Sequence, residues 1–277
     1  MRLDSKEQNY SLRLFIRGGL GNQLFQFTGA LFHAQRLSAN LIVNDTALVN
    51  HHDFSRQNWI SQLDFSHISD KTVVSWKRDR GKFISFHKNT FMEIEEDGLM
   101  NLTAIENNLS FRGWFQSSQF PTGLKIESSA FRPKFISESV EKQTFKIKET
   151  QNLVGIHMRF GDFKSTSWGT LSADWYSKAF NELENRGITH AHIYTDEISV
   201  AKELLSGLSH KIIVIFPEAQ SKLLPDELLW VMRHYETFVS SNSTLAWWAS
   251  YLNINKNPII YCPWEEDLYL KPWIKIA

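Results

Sequence analysis

The sequence predicts an α/β chain of two domains built on parallel sheets, and three observations carry that prediction. A glycine-rich turn joins an alternating apolar segment near residue 12 to a helical one. Strand and helix patterns then alternate regularly through the second half. The length, 277 residues, suits one large domain or two modest ones.

The first element is a strand: Leu12, Leu14 and Ile16 alternate with Arg13, Phe15 and Arg17. Gly18, Gly19 and Gly21 make a turn. From Asn22, the positions Leu24, Phe27, Leu31 and Ala34, with Phe25 and Phe32 beside them, follow helical spacing. Leu41 to Val43 reads as a second strand, and a helical crossover between the two implies parallel pairing. Between His51 and Ile105 the pattern weakens, and the run Lys77, Arg78, Arg80, Lys82 reads as a solvated loop. Phe131 to Thr150, with Pro133 near its start, reads as a helix and linker at a domain boundary, dividing the chain into 1–150 and 151–277.

The second half predicts strands at Leu153–Arg159, Ala191–Thr195, Lys211–Phe216, Thr237–Ser240 and Pro258–Cys262. Helices fill the gaps at Ser172–Arg186, Glu197–Ser206, Pro225–Tyr235 and Ser243–Leu252. Ser172 is a cap, and Gly187 stands where a helix end takes a left-handed residue. Such alternation implies a parallel, Rossmann-like sheet.

Composition removes several function classes. Apolar residues at 42% and charged residues at 22% exclude disorder as the main state. Basic and acidic residues number 30 each, and neither half is a basic arm, so there is no overall field for nucleic acid or anionic membrane. One cysteine, Cys262, read as a small apolar strand residue, excludes an internal disulfide framework and suits a reducing compartment. The longest apolar runs (Ile212–Phe216, Leu228–Met232, Leu245–Ala249) are far short of the ~20 residues a membrane helix needs, and Met1–Asn9 has no signal-peptide core. A cytoplasmic protein is expected, with peripheral membrane association left open.

In an open parallel sheet, ligands bind beyond the carboxyl ends of the strands. Four strand ends hold candidate groups. Gly18–Gln23 allows close backbone approach and starts a helix, although the dinucleotide glycine pattern is incomplete and a plain tight turn is the simpler reading. Arg159, in His157–Asp162, serves either as a fork for phosphate or as a salt-bridge partner of Asp162. Asp196 either accepts from a ribose hydroxyl or a guanine edge, or caps the next helix. Ser240–Thr244 offers hydroxyls and free N–H groups at a helix start, while Trp247 and Trp248 read as core. No Asp-x-Asp clamp is present, and the His51-His52-Asp53 and His190-x-His192 pairs have no cysteine support, so a metal-free site is expected. Hydrolase elbow and phosphate-loop motifs are absent from the sequence.

Five segments in order resemble the α-1,2-fucosyltransferases, glycosyltransferase family 11: Gly18–Gln26, Gly113–Ser117, Gly155–Phe163, Tyr194–Glu197 and Asn242–Trp248. The resemblance implies a GT-B-type fold, two Rossmann-like domains with parallel sheets facing across a cleft. Its acceptor-side domain is 1–150 and its GDP-fucose-binding domain 151–277. It further implies inverting, metal-independent transfer of fucose from GDP-fucose to a galactose-containing oligosaccharide acceptor, at the 2-hydroxyl of galactose. Carried over residue by residue, His157, Arg159 and Asp162 match the catalytic donor motif, with Arg159 on the pyrophosphate. Gly19, Gly21, Asn22, Gln23, Asp196, Asn242, Ser243 and Thr244 match ligand-binding positions. Three positions depart from the family pattern: Phe160 replaces a second arginine, Phe163 a tyrosine and Ala249 a glycine. Asp162, tied to an arginine, makes a poor general base. The alternatives are a same-fold transferase using another nucleotide sugar, or a non-catalytic nucleotide or glycan binder.

Overall fold

The structure is a computed structural model, and it describes residues 10–48, 57–65, 68, 74–77, 92–167 and 169–276. The chain forms two compact units, residues 1–61 with 65–126, and residues 62–64 with 127–277.

In the first unit the elements run β1 (Ser11–Phe15), α1 (Leu20–Arg36), β2 (Asn40–Asn44), then, after β3 (Leu63–Asp64) of the other unit, β4 (Val74–Lys77), β5 (Met92–Glu95), α2 (Glu96–Asn101), β6 (Leu109–Arg112) and α3 (Gln119–Gly123). The sheet has the order β4-β2-β1-β6-β5 and every pair is parallel. Leu12 and Leu14 of β1 and Leu24, Phe27, Leu31 and Ala34 of α1 are buried together, as their spacing requires. The helix starts two residues earlier than its apolar pattern does. Gly19 is its N-cap, so Gly21, Asn22 and Gln23 lie in the first helical turn rather than in the glycine loop. Gly29 shows how tightly α1 packs: a Cβ there would come within 2.5 Å of Phe115.

The second unit continues with β7 (Arg132–Pro133), α4 (Glu138–Glu149), β8 (Leu153–Met158), α5 (Ala173–Asn185), β9 (His190–Thr195), α6 (Ile198–Ser206), β10 (Ile213–Ile215), α7 (Pro225–Met232), β11 (Thr237–Val239), α8 (Thr244–Tyr251), β12 (Ile259–Cys262) and β13 (Ile274–Lys275). Its sheet has the order β10-β9-β8-β11-β12-β13, all parallel. In chain order that is 3-2-1-4-5-6, the doubly wound arrangement, with the reversal falling between β8 and β11. β8 is buried along its whole length, as a central parallel strand must be. Gly155 on β8 leaves room for the Tyr235 ring, which a Cβ would meet at 2.5 Å. Tyr235 Oη in turn pairs with His192 Nδ1 and Tyr194 Oη, each at 2.7 Å. Ser172 caps α5 by accepting from the Trp175 N–H, and Gly187 follows with φ +77°. Trp247, Trp248 and Cys262 are fully buried, and burial pushes the Cys262 thiol up to about 11.

Two placements differ from the sequence expectation. The units divide after Ile126 rather than at residue 150, because α4 packs on its own unit: Val140, Thr144 and Ile147 are buried, and Gln143 donates to Tyr194 Oη at 2.5 Å. Asp196 does not cap α6; Glu197 holds the cap position, and Thr195 Oγ1 accepts the Glu197 N–H. Of the basic run expected in a loop, Lys77 instead ends β4, in register with Asn44 of β2, while Arg78, Arg80 and Lys82, like His51-His52-Asp53, lie outside the described residues.

Candidate functional site

The reversal between β8 and β11 leaves a gap at the carboxyl ends of two central strands, and the sequence places its polar groups there. His157 is the penultimate residue of β8 and is 5% exposed. Its Nδ1 lies 2.7 Å from Ser241 Oγ, beyond the end of β11, so one side-chain pair spans the switch point. Burial, with the positive charge of Arg159 added, lowers the His157 pKa to about 3, and the imidazole is therefore neutral. Ser241 Oγ also accepts the Ser243 N–H at 3.2 Å, and Ser243 Oγ accepts from Leu245 at the start of α8. Asn242 Nδ2 donates to the Gly169 carbonyl at 2.9 Å, tying the loop after β8 to the turn after β11. Thr244 opens α8.

Arg159 leaves β8 with its side chain 29% exposed and held by two carboxylates. Nη2 meets Asp162 Oδ1 at 2.6 Å, and Nη1 meets Asp196 Oδ2 at 3.1 Å. The salt-bridge reading of Arg159 and Asp162 is thus realised, yet a guanidinium has five N–H groups, and the rest have no partner among the described residues. Asp196 is fixed more firmly than Asp162. Its Oδ1 accepts the Phe160 N–H at 3.0 Å, and a Cβ on Gly161 would run into its other oxygen at 2.4 Å. Glycine at 161 is what allows the β8 loop to close onto the β9 loop. Lys164 and Glu197, 2.5 Å apart, make a second link between the same two loops. Phe160 is 3% exposed, and its side chain belongs to the apolar core.

The first unit has its own reversal, between β1 and β6, and brings the glycine turn and the Gly113–Ser117 segment together. Gly18 adopts φ +77°, Asn22 accepts a hydrogen bond from Gln116 at 3.1 Å, and Arg17 lies 4.0 Å above the Trp114 ring. Glu96 accepts from the Trp114 and Phe115 N–H groups at 2.8 and 3.1 Å, and Gly113 is required there because a Cβ would strike that carboxylate.

Gln23 stands apart from the other predicted positions. It is fully buried; Nε2 donates to the Gly18 and Gln57 carbonyls, and Oε1 accepts from Trp59 and Ile60. All its capacity is spent inside the unit, so it shapes the turn and has nothing left for a ligand. Gln26 does similar work, pairing with both backbone groups of Arg17. Sequence reasoning did not single out Ser241, Arg17 or Glu96. Ser241 sat inside a flagged turn, but its partner is 84 positions away. Glu96 is 18 positions from Trp114 and carries no local signal.

Among the described residues no three His, Cys, Asp or Glu side chains are gathered to hold a metal, and no helix is long and apolar enough to cross a membrane. His190 and His192 have Thr189 and Tyr235 as partners.

The O-antigen biosynthesis glycosyltransferase WbnK of Escherichia coli is 21% identical over 304 residues, covering 94% of this chain and 99% of that protein. Among solved structures, POFUT1 in complex with GDP-fucose matches with TM-score 0.59 at 13% identity, covering 97% of this chain and 99% of that one. The fucosyltransferase NodZ from Bradyrhizobium matches with TM-score 0.53 at 14% identity, covering 88% and 94%. The two structures are GT-B proteins, and the α/β units with parallel sheets described above share that fold. The model of glycosyl transferase family 11 matches residues 134–277, more than half of the chain and nearly all of the unit that holds Arg159. The chain therefore belongs to glycosyl transferase family 11 and is a glycosyltransferase.

Proposed function

We propose that this enzyme transfers fucose from GDP-fucose to a hydroxyl of a glycan, with inversion at the sugar carbon and without a metal ion, the acceptor being a galactose 2-hydroxyl. The observation that carries the donor half is the alignment of Arg159, His157 and the Ser241–Thr244 turn on one strand-order reversal. Departure of a nucleoside diphosphate leaves negative charge on its terminal phosphate, and preorganised donors there lower the barrier. Arg159 supplies a fixed charged fork, and its two carboxylates hold the guanidinium before substrate arrives. Asp162, the more exposed of the two acids, is the one that gives way to phosphate. Neutral His157 has its Nδ1 anchored on Ser241, leaving Nε2 for a phosphate or ribose oxygen. Asp196, Asn242, Ser243 and Thr244 complete the donor side. Gly19, Gly21 and Asn22 with Trp114–Ser117 orient the acceptor.

No side chain is assigned as the base that takes the acceptor proton. Asp162 is paired with an arginine, which disfavours proton uptake.

Incubation of the purified protein with GDP-fucose and galactose-terminated oligosaccharides, reading free GDP and product mass, tests the proposal. Product heavier by one fucose is expected, and activity that persists in excess EDTA. Phe160 favours a second reading: the loop after β8 presents one arginine only, so another nucleotide sugar remains a competing donor. Thermal shifts with GDP, UDP and their sugars separate the two, since a ligand that binds the native state alone stabilises it.

A further inference from the structure

The first unit holds a cation that no acid among the described residues answers. Arg17 follows β1, and among the described residues its side chain forms no ion pair. Its Nε is buried with no acceptor. A buried unsatisfied donor on a charged group is costly, and it persists where something other than the fold answers it.

The guanidinium lies 4.0 Å above the Trp114 ring, and Trp114 remains 42% exposed, one of the larger apolar surfaces the unit presents. Neither group is there by accident of a loose loop. Glu96 accepts the N–H groups of Trp114 and Phe115, which sets the indole, and Gln26 clamps the backbone of Arg17 on both sides. Glu96 therefore has both oxygens committed and does not neutralise the arginine. A stacked guanidinium uses its π face on the ring and keeps its N–H edge open, in a plane suited to two parallel hydrogen bonds.

Nε is closed to solvent, but the two Nη groups are not; a planar anion supplies acceptors for them, and an apolar sugar face covers the indole. One common ligand class has both: a hexose bearing a carboxylate. We propose that Arg17 and Trp114 form an acceptor subsite selective for acidic glycans, with a uronic acid carboxylate on the guanidinium fork and its ring face against the indole. This rests on the reading that the first unit receives the acceptor, but binding can be measured without turnover.

Calorimetric titration of the intact protein, with no donor present, compares a galactosyl-glucuronic acid disaccharide with neutral galactosyl-glucose. The acidic sugar is expected to bind about tenfold more tightly at low salt. That preference should shrink as salt rises and vanish in Arg17→Gln, while Arg17→Lys keeps part of it. Trp114→Ala should weaken both sugars together. Thermal denaturation checks that each variant is folded. Equal affinity for the two sugars, no binding of either, or a preference untouched in Arg17→Gln overturns the subsite. Weaker GDP binding in Arg17→Gln with the sugar preference unchanged would assign Arg17 to the donor instead and also overturns it. Failure of the wild type to release GDP from GDP-fucose sinks the donor reading and leaves the sugar result standing.

Discussion

The two units solve the same geometric problem with different chemistry. Each has a parallel sheet whose strand order reverses beside its first strand, and each places its polar groups at that reversal. At the end of β8 the groups are charged: Arg159 between Asp162 and Asp196, with Lys164 on Glu197 beside them. At the end of β1 they are mainly amides and backbone, with Gln23, Gln26, Asn22 and Gln116 bonded to one another or to the chain, and a single arginine on an indole. A charge cluster suits the departure of a diphosphate. A turn braced mainly by amides, with one arginine and the Glu96 carboxylate tied to backbone N–H groups, suits a hydroxyl-rich sugar. The division of labour proposed for the two units rests on this contrast.

Removing the charge at β8 is the strongest way to break the comparison. Arg159→Ala is expected to lower kcat/KM with GDP-fucose by at least about 10³-fold, the scale of losing a donor aimed at developing negative charge. Arg159→Lys should recover only part, since an ammonium cannot reproduce the fork. GDP release measures both. Near-normal turnover in Arg159→Ala removes the assigned role, and with it the case that the charged unit is the donor unit.

The amide-braced turn should respond differently. In Gln23→Ala the buried Trp59 and Ile60 N–H groups lose their acceptor, which costs about 1–3 kcal/mol each. Stability by denaturant unfolding is expected to fall by about 3 kcal/mol, whereas GDP affinity stays within about twofold. Loss of GDP affinity in a folded Gln23→Ala protein would show that the first unit touches the donor and would blur the contrast.

How much of this was legible in the sequence follows the same divide. In the second unit every strand longer than two residues was readable, because each is an apolar run between helices with caps, such as Ser172 and Gly187, that act locally. β13 is two residues long and has no pattern to find. In the first unit β4, β5, α2, β6 and α3 escaped notice. Met92–Glu95 carries mostly exposed side chains at a sheet edge, so alternation gives no buried face to detect. At the site what was legible is placement: Arg159 and Asp196 are both read at strand ends, and the structure brings the two side chains to 3.1 Å. Gln23 was misjudged because a glutamine in a glycine turn looks the same whether it faces a ligand or holds four backbone groups. Only the placement of Gln57, Trp59 and Ile60 decides.

The units also share a packing device, a glycine under an aromatic ring, on α1 in the first and on β8 in the second, and it offers a matched pair of variants. Gly29→Ala puts a Cβ within 2.5 Å of Phe115, and Gly155→Ala puts one within 2.5 Å of Tyr235. Each should cost about 1–3 kcal/mol by overpacking. The Phe115 ring has ring contacts with Phe111, Phe120 and His33 but no hydroxyl to anchor it, whereas Tyr235 Oη is held by His192 and Tyr194. A ring anchored at its hydroxyl cannot shift without breaking those bonds, so Gly155→Ala is expected to be the more damaging of the two in urea unfolding. Equal losses would mean that the tyrosine network yields as easily as the phenylalanine cluster.

Acid should separate the units by a smaller margin. Burial is the main cause in each case: it lowers the pKa of His157 to about 3 and of His234 to about 4, and pushes His192 below the ordinary imidazole range, all in the second unit. In the first unit burial and Arg36 lower His33 to about 4. A histidine whose folded pKa lies below its unfolded value of 6.5 is neutral in both states above pH 6.5 and contributes nothing there to pH dependence. Below pH 6.5 the unfolded chain takes up a proton that the native chain refuses, so stability falls as pH falls, until the folded pKa is reached. Between pH 7 and pH 5, above the range where most carboxylates titrate, His157, His234 and His33 each remove roughly 1–2 kcal/mol, and His192 acts in the same direction. With three such histidines described in the second unit against one in the first, amide exchange followed at pH 7 and pH 5 should show protection lost first in β8, β9 and β11. His157→Gln, which keeps a polar contact to Ser241 and cannot be protonated, should reduce the fall. A first unit that loosens before the second on acidification would mean that groups other than these histidines set the acid response.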